Sequence, residues 1–578
     1  MNTLTSKKVA KALDKTPIIG NKVATPVLKY RTELSSYINR IPLAPFKKAI
    51  GVLRAVTGGG KTLASSKLAA RLAAEYGKKH IVYGTPFIIL TEQTKNVLTT
   101  MISQDIAEVR HTHSKIRHKK SDNKRVKGLK CDVNICTLRK LEIALCEELG
   151  KNKDATLKNS VIIVDDASQH LTAEITPVFL HLLNEIRKKG ALVILASGSL
   201  PDYDKVNLHI RKTHDVDYVD RSIQLFSIGD KLSSKAALEK RCNFVMHDEI
   251  YLDDVIDLME KGKGPQLIIA ETVKKSIIIH DELLSARRRG AGKARQGKPN
   301  LKGVKIFLLN GSQSQNARKV LLARVETLLA QKVQEKFILV STSIVQSGFD
   351  ASFEGGINDT MSYSGMFEHK GRTNRGMEYG KTCNLHVGPI IIPGASANNR
   401  NAPARTSALT VMHSRNPKTK QKLGVCEAGL TDALIAELRY NGFNAVKNAD
   451  AFTALAKRGA FQDLSKALSA RYIDQRRCPY FPSKKELDSA LKKLSDELKK
   501  RGVRFQIIKP CEIELHENES RMTPKQILAL VDEFLQEYAC HMSEEEKKAH
   551  DDRMIPIRIR TTRVEADVRY YLLLNSNA

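Results

Sequence analysis

Short apolar runs alternate with longer polar stretches from about residue 46 to residue 200. The runs are "AIGVLRAV" (49–56), "HIVYGTPFIIL" (80–90), "DVNICTL" (132–138), "SVIIVDD" (160–166) and "ALVILAS" (191–197). They are β-branched and continuously apolar, as strands covered on both faces require. Segments of helical character such as "KTLASSKLAARLAAEYG" separate them. The alternation predicts a doubly wound α/β domain with a parallel sheet. It restarts at "PQLIIAET" (265–272), "VKIFLLNG" (304–311) and "KFILVST" (336–342), which predicts a second α/β domain ending near residue 395. Residues 202–262 are charged and mixed and read as a connector with some structure. Beyond about 400, "TDALIAELRYNGFNAV", "KKELDSALKKLSDELKKRG" and "TPKQILALVDEFLQEYA" show helical spacing. A mostly helical C-terminal region is expected, with one or two short strands such as "VRFQIIKP". The expected organisation is a basic leader (1–45), a first α/β domain (46–225), a second (226–395) and a helical accessory region (396–578).

Charge adds a second constraint. Lys and Arg number 95 against 63 Asp and Glu, a net charge of +32. A fold does not need this excess. A polyanionic partner explains it, nucleic acid or an anionic membrane; the competing account is a solvated basic surface. Two stretches, "KIRHKKSDNKRVKGLK" (115–130) and "SARRRGAGKARQGKPNLKGVK" (285–305), each carry eight Lys or Arg and fall between expected strands. They read equally as phosphate-contacting loops or as solvated ones. The nine cysteines show no CxxC pair, so reduced thiols are expected rather than zinc ribbons. No signal-peptide layout or run of 18 apolar residues occurs, so no membrane association is expected, and the expected compartment is the cytosol. His111 and His113 in "VRHTHSK" have no acids at fitting spacing, and a nucleic-acid contact or a plain loop is favoured over a metal site.

The motif with chemical content is "AVTGGGKT" (55–62). It follows an expected strand and opens an expected Ala-rich helix. That context suits a phosphate-binding loop: glycines let amides converge on phosphates, and the helix N-terminus adds positive charge. Lys61 would reach the β- and γ-phosphates and Thr62 would ligate Mg²⁺. The competing reading is a glycine-rich turn, all the more because Ala55 stands where the strict pattern has Gly. "VIIVDDAS" (161–168) ends an apolar strand in two acids, where a carboxyl edge would meet a nucleotide. Asp165 would hold the metal and Asp166 would orient or deprotonate water. The bland alternative is a helix-capping pair.

In order along residues 45–390, these segments resemble the motifs of superfamily 2 helicases. "AVTGGGKT" resembles motif I, "TPFIILTEQT" (85–94) motif Ia and "CTLRKL" (136–141) the Thr-containing backbone-contact motif. "VDDAS" resembles motif II, "ASGSLP" (196–201) motif III and "LIIAETVKKS" (267–276) motif IV. "STSIVQSGFDASF" (341–353) resembles motif V and "GMFEHKGRTNRG" (365–376) motif VI. Within the superfamily, motifs V and VI look most like the CRISPR-associated helicase-nuclease group.

The resemblance implies two tandem RecA-like domains clamping ATP and Mg²⁺. It assigns Thr57, Gly58, Gly59, Gly60, Lys61 and Thr62 to the phosphates, and Gly348 and Asp350 to nucleotide sensing. Asp166, Arg372 and Arg375 would be catalytic, with the arginines reaching the γ-phosphate across an interdomain cleft. Pro86, Thr137 and Thr342 would contact the nucleic-acid backbone. The implied function is an ATP-dependent helicase or translocase on nucleic acid, with single-stranded DNA favoured over RNA, in phage or plasmid replication or in defence. Partner nuclease or replication proteins are part of that implication. The alternatives are a weakly hydrolysing nucleic-acid clamp and the motor subunit of a restriction or defence complex. Four departures bear on this. Asp166 stands where Glu is usual, Ser168 where Asp or His is usual, "SGS" replaces "SAT", and Glu368 stands where Gln is usual. Ser168 is expected to loosen coupling between ATP and nucleic acid. The chain's "HD" pairs lack a nuclease arrangement, so a nuclease is expected on another chain or to be missing.

Overall fold

The computed structural model describes residues 8–9, 11–13, 24–56, 58–86, 88–102, 109–111, 132–151, 156–169, 171, 173, 175–214, 217–229, 232–235, 238, 241–289, 301–310, 315–331, 335–345, 351–359, 362–379, 382–392, 411, 427–440, 453–472, 480–481, 504–508, 512–514, 553–559 and 566–575. The chain forms two compact units. One holds Met1–Tyr251, Val345–Ile391 and Ser396–Ser465; the other holds Leu252–Ile344, Ile392–Ala395 and Lys466–Ala578.

The first unit is built on a seven-stranded sheet. Its strands are β1 (Ile50–Leu53), β2 (His80–Thr85), β3 (Val109–His111), β4 (Val133–Thr137), β5 (Ser160–Asp165), β6 (Leu192–Ala196) and β7 (Leu225–Ile228), in the order β3-β4-β2-β5-β6-β1-β7. Every pairing is parallel. Parallel neighbours require crossover helices, and both faces are therefore covered. Accordingly β1, β5 and β6 are buried along their whole length. The carboxyl edge of β1, β2, β5 and β6 gathers the loops after 53, 85, 165 and 196, the place where α/β sheets bind ligands.

Helix α1 (Thr25–Arg40) opens the described fold. Pro26 sits in its first turn, where the missing N–H costs nothing. Val27, Tyr30, Leu34 and Ile38 recur at helical spacing and are all buried. They join one core with Leu63, Leu68 and Leu72 of α2 (Lys61–Glu75). The leader expected over 1–45 is thus part of the sheet's packing. The same unit holds a second group of parallel strands. β14 (Cys383–Gly388) pairs with both β8 (Cys242–Met246) and β13 (Gly355–Asp359). The short strands β9 (Ile250–Tyr251) and β15 (Ile390–Ile391) pair beside them.

In the second unit, β12 (Phe337–Ser341) pairs in parallel with β10 (Gln266–Ile269) and β11 (Lys305–Leu309), the three strands expected from their apolar runs. Among the C-terminal residues, the strand expected at "VRFQIIKP" is present as β17, with further strands beyond the one or two expected. β20 (Ala566–Asn575) pairs antiparallel with β17 (Arg504–Ile508), β18 (Glu512–Glu514) and β19 (Arg553–Ile559), and β16 (Tyr480–Phe481) pairs with β19. A helix, Glu427–Tyr440, overlaps the first of the three helical stretches over residues 431–440. The other two lie outside the described residues.

The connector expected over 202–262 contains the helix Tyr203–His214 and strands β7, β8 and β9. β7 and β8 escaped notice because they lie at sheet margins and are only partly buried, so they lack a continuous apolar run. β13, "GGIND", is wholly buried but built from residues of poor strand propensity. The basic stretch 115–130 and His113 lie outside the described residues. The stretch 285–305 begins inside the helix Val273–Arg289. Cys136, Cys146, Cys242 and Cys383 are buried free thiols, and burial raises Cys136 and Cys146 to about 12. Among the described residues no helix is long and apolar enough to cross a membrane.

Gly51 shows how tightly β1 is enclosed. A Cβ there would stand 2.5 Å from a Phe46 ring carbon and 2.9 Å from Ile228 Cδ1. Phe46 is held edge-on against Phe226, with ring centroids 4.7 Å apart. Gly51→Ala is therefore expected to destabilise the protein by about 1–3 kcal/mol, read as a lower denaturation midpoint in chemical unfolding.

Candidate nucleotide-binding site

Beyond Leu53 the chain leaves the sheet and turns into the glycine loop. Gly58 (φ 81°) and Gly60 (φ 86°) take left-handed backbone that side chains resist. Gly60 caps α2, so Lys61 and Thr62 are its first residues and its free amides face the loop. Gly59 is required by packing: a Cβ there would lie 2.4 Å from the Tyr30 ring. Thr57 lies outside the described residues, as do Gly348 and Asp350.

Helix α1 braces this loop, a role its sequence did not signal. Val56 N donates to Tyr30 Oη at 3.1 Å. Arg31 donates from Nη2 and Nε to the Gly58 carbonyl at 2.8 and 3.3 Å. At its start, Ala24 N donates to the Gly376 carbonyl at 3.0 Å. Further along, Glu33 accepts from Ser233 N at 2.8 Å and Ser234 N at 3.1 Å. The Ser234 hydroxyl, with these amides, holds the Glu33 carboxyl down at about 2. One helix thus grips the loop and the turn after Arg375.

The two acids of "VDDAS" face the loop. Lys61 Nζ pairs with Asp166 and lies 3.7 Å from Asp165 Oδ1. Thr62 Oγ1 donates to Asp165 Oδ2 at 3.3 Å, and Tyr83 Oη donates to the same oxygen at 2.7 Å. Burial, then the Asp165 charge, pushes the Tyr83 hydroxyl well above its ordinary range, so it stays a donor. Asp166 has φ 47°, in the left-handed region. Asp tolerates that backbone better than Glu because its short polar side chain can bond locally. The shorter acid at 166 thereby has a backbone reason. One hydroxyl and two carboxylates at the head of a helix form a hard oxygen set of the kind Mg²⁺ takes.

Motifs II, III and VI meet in a chain of hydroxyls. Ser199 Oγ lies 2.7 Å from both Ser168 Oγ and Glu368 Oε1, and Ser197 Oγ lies 3.1 Å from Ser168 Oγ. Glu368 is 1% exposed, and its Oε2 has no hydrogen-bond partner among the described residues. Two departures from the helicase pattern are therefore complementary. Set against the Asp form of motif II, position 168 carries a neutral hydroxyl in place of the acid, and the neutral amide usual at 368 is an acid. A carboxylate at both places would bury two like charges together. Next to it, His369 is fully buried beside Asn358, and burial drops it to about 3, so it is neutral.

The motif VI arginines lie in the same compact unit as the glycine loop. Arg375 crosses Gly58: a Cβ on that glycine would be 2.8 Å from Arg375 Cγ. Arg372 is buried, and its carbonyl accepts from Phe353 N at 2.9 Å. The backbone-contact candidates are more dispersed. Pro86 is half-buried at the end of β2. Thr137 caps the following helix, its Oγ1 accepting from Lys140 N at 3.3 Å. Thr342 is buried and belongs to the other unit. No group of three metal-ligating side chains occurs among the described residues.

The hydroxyl chain yields a paired test. Ser168→Asp is expected to lower thermal stability by placing a second carboxylate beside Glu368. Adding Glu368→Gln should restore most of the loss, giving a coupling energy on the order of 1–3 kcal/mol in a double-mutant cycle.

Comparison with known proteins agrees with this layout. Residues 40–206 match the DEAD/DEAH box helicase family, and residues 262–378 match the family described as CRISPR-associated nuclease/helicase Cas3, C-terminal. No curated protein sequence matches the chain. Among solved structures, T. fusca Cas3 is similar at 17% identity and a TM-score of 0.52, over 79% of this chain and 57% of that one. The same protein with AMPPNP gives 16% identity and 0.52, over 78% of this chain and 57% of that one. With ADP it gives 16% and 0.52, over 78% and 58%. The chain thus spans less than two thirds of the length of those relatives. Two helicase family models matched in sequence order, on parallel sheets, make residues 40–206 and 262–378 similar to the core of a superfamily 2 helicase of the Cas3-like type.

Proposed function

We propose that the protein is an ATP-dependent helicase or translocase acting on nucleic acid, with DNA as the favoured substrate. The observation that carries this reading is the convergence of Lys61, Thr62, Asp165, Asp166 and Arg375 on one glycine loop at the carboxyl edge of a parallel sheet. The similar T. fusca protein has been solved with ATP, AMPPNP and ADP, which supports ATP as the ligand. Gly58, Gly59, Gly60 and Lys61 would hold the phosphates. Thr62 and Asp165 would hold Mg²⁺, which would offset charge on the phosphates. Lys61 would exchange part of its pairing with Asp166 for phosphate, leaving that carboxylate to orient water. Arg372 and Arg375 would stabilise the charge that develops on the transferred group.

The net charge of +32 supports a polyanionic track. Pro86, Thr137 and Thr342 are proposed contacts to its backbone, which position without reading sequence. A cytoplasmic setting in phage or plasmid replication, or in defence with a separate nuclease, fits the Cas3-like type. A second reading is a clamp with weak hydrolysis, favoured by the short, left-handed Asp166 and its pairing with Lys61.

ATP turnover, measured with and without single-stranded DNA and RNA, tests both. The motor reading expects stimulation by nucleic acid and a loss of roughly 10²-fold or more in Lys61→Ala. Turnover that neither nucleic acid stimulates, and that Lys61→Ala leaves intact, would sink it. Nucleic-acid binding without turnover selects the clamp. Strand displacement on 3′- and 5′-tailed substrates then sets polarity and the DNA or RNA preference.

A further inference from the structure

Arg241 stands just before β8, in a segment whose sequence carries no helicase motif, and it is 2% exposed. Its Nη1 donates to the Arg375 carbonyl at 3.2 Å. The same nitrogen lies 3.6 Å from where a Gly58 Cβ would be, so the guanidinium backs both the arginine turn and the glycine loop. Its backbone is fixed as well: its carbonyl accepts from Asn374 Nδ2 at 3.2 Å and from Cys383 N at 3.1 Å. What the side chain lacks is a counter-charge. No carboxylate pairs with it among the described residues, and its buried Nε has no hydrogen-bond partner among them. Burial lowers it to about 10, and Arg375, then Arg372, push in the same direction, while Cys242 and, more weakly, Glu378 oppose them.

A buried cation without a paired anion is unfavourable, and cations held beside one another add to the cost. The same arrangement is favourable once a polyanion enters the neighbouring loop. We infer that Arg241 is a third arginine of the nucleotide site, a positioning residue that seats the Arg375 turn over Gly58 and whose charge is balanced by the bound polyphosphate. It rests on the nucleotide-site reading above. It goes beyond that reading in assigning nucleotide affinity to a residue outside every motif. It also predicts an unusual sign: the residue should weaken the protein without nucleotide while strengthening nucleotide binding.

The test uses the full chain with Arg241→Gln and Arg241→Lys. Two quantities are measured: melting temperature without nucleotide, and affinity for Mg²⁺–AMPPNP and for inorganic pyrophosphate. Arg241→Gln should melt at the same temperature as wild type or higher, because the uncompensated charge is gone. Its affinity for both probes should fall at least about tenfold, the equivalent of one charge-assisted hydrogen bond. Arg241→Lys, which keeps the charge, should recover most of that affinity. An ordinary structural role gives the opposite pattern, a lower melting temperature with affinity per folded molecule unchanged, and that result overturns the inference. If Arg241→Gln does not fold, Arg241→Met, which also removes the charge, decides by the same readings. Affinity for both probes lowered at least about tenfold supports the inference, and unchanged affinity for both overturns it. Failure of the wild type to bind AMPPNP at all would instead refute the nucleotide site itself.

Discussion

The fold of this protein turns on how charge is held at the carboxyl edge of its first sheet. Lys61, at the head of a helix, faces Asp165 and Asp166 at the end of β5. Both partners are largely out of water, so each would be unfavourable alone. The pairing keeps the glycine loop and the acid strand end in one arrangement. The same groups are the ones proposed above to engage phosphate and a divalent cation.

Around that pair the protein distributes the remaining strain and charge. Asp166 adopts left-handed backbone that a longer acid would tolerate less well. Helix α1 holds the loop from outside through Tyr30 and Arg31, and reaches the arginine turn through Ala24. Within the loop Gly59 N donates to the Val56 carbonyl at 2.8 Å, and the bonds from Tyr30 and Arg31 add bracing from outside.

The hydroxyl chain from Ser168 through Ser199 to Glu368 follows the same logic. Taken one at a time, a serine in motif II and a glutamate in motif VI look like losses of coupling. Placed together, and set against the Asp form of motif II, they are one exchange of acid for neutral partner. The link between the acid strand end and motif VI is present, with its charge moved to the other side. Ser168 lies within hydrogen-bonding distance of three side chains, those of Glu368, Ser197 and Ser199.

The sequence by itself determined the elements that are continuous along the chain. Uninterrupted β-branched runs marked β1, β2, β4, β5, β6 and β10 to β12, because strands buried on both faces must be apolar at every position. The glycine loop and "VDD" were legible for a related reason, since phosphate cradles need particular residues at fixed local spacing. Strands β7, β8 and β13 were not legible. Marginal strands are only half covered, and β13 is strand only because its neighbours enclose it. Tertiary structure alone decided that Tyr30 and Arg31 serve a loop more than 20 residues away, that Ser168 and Glu368 compensate each other, and that Arg241 lies behind Gly58. Those relations depend on distances between parts of the chain that share no local pattern, and only packing brings them within reach.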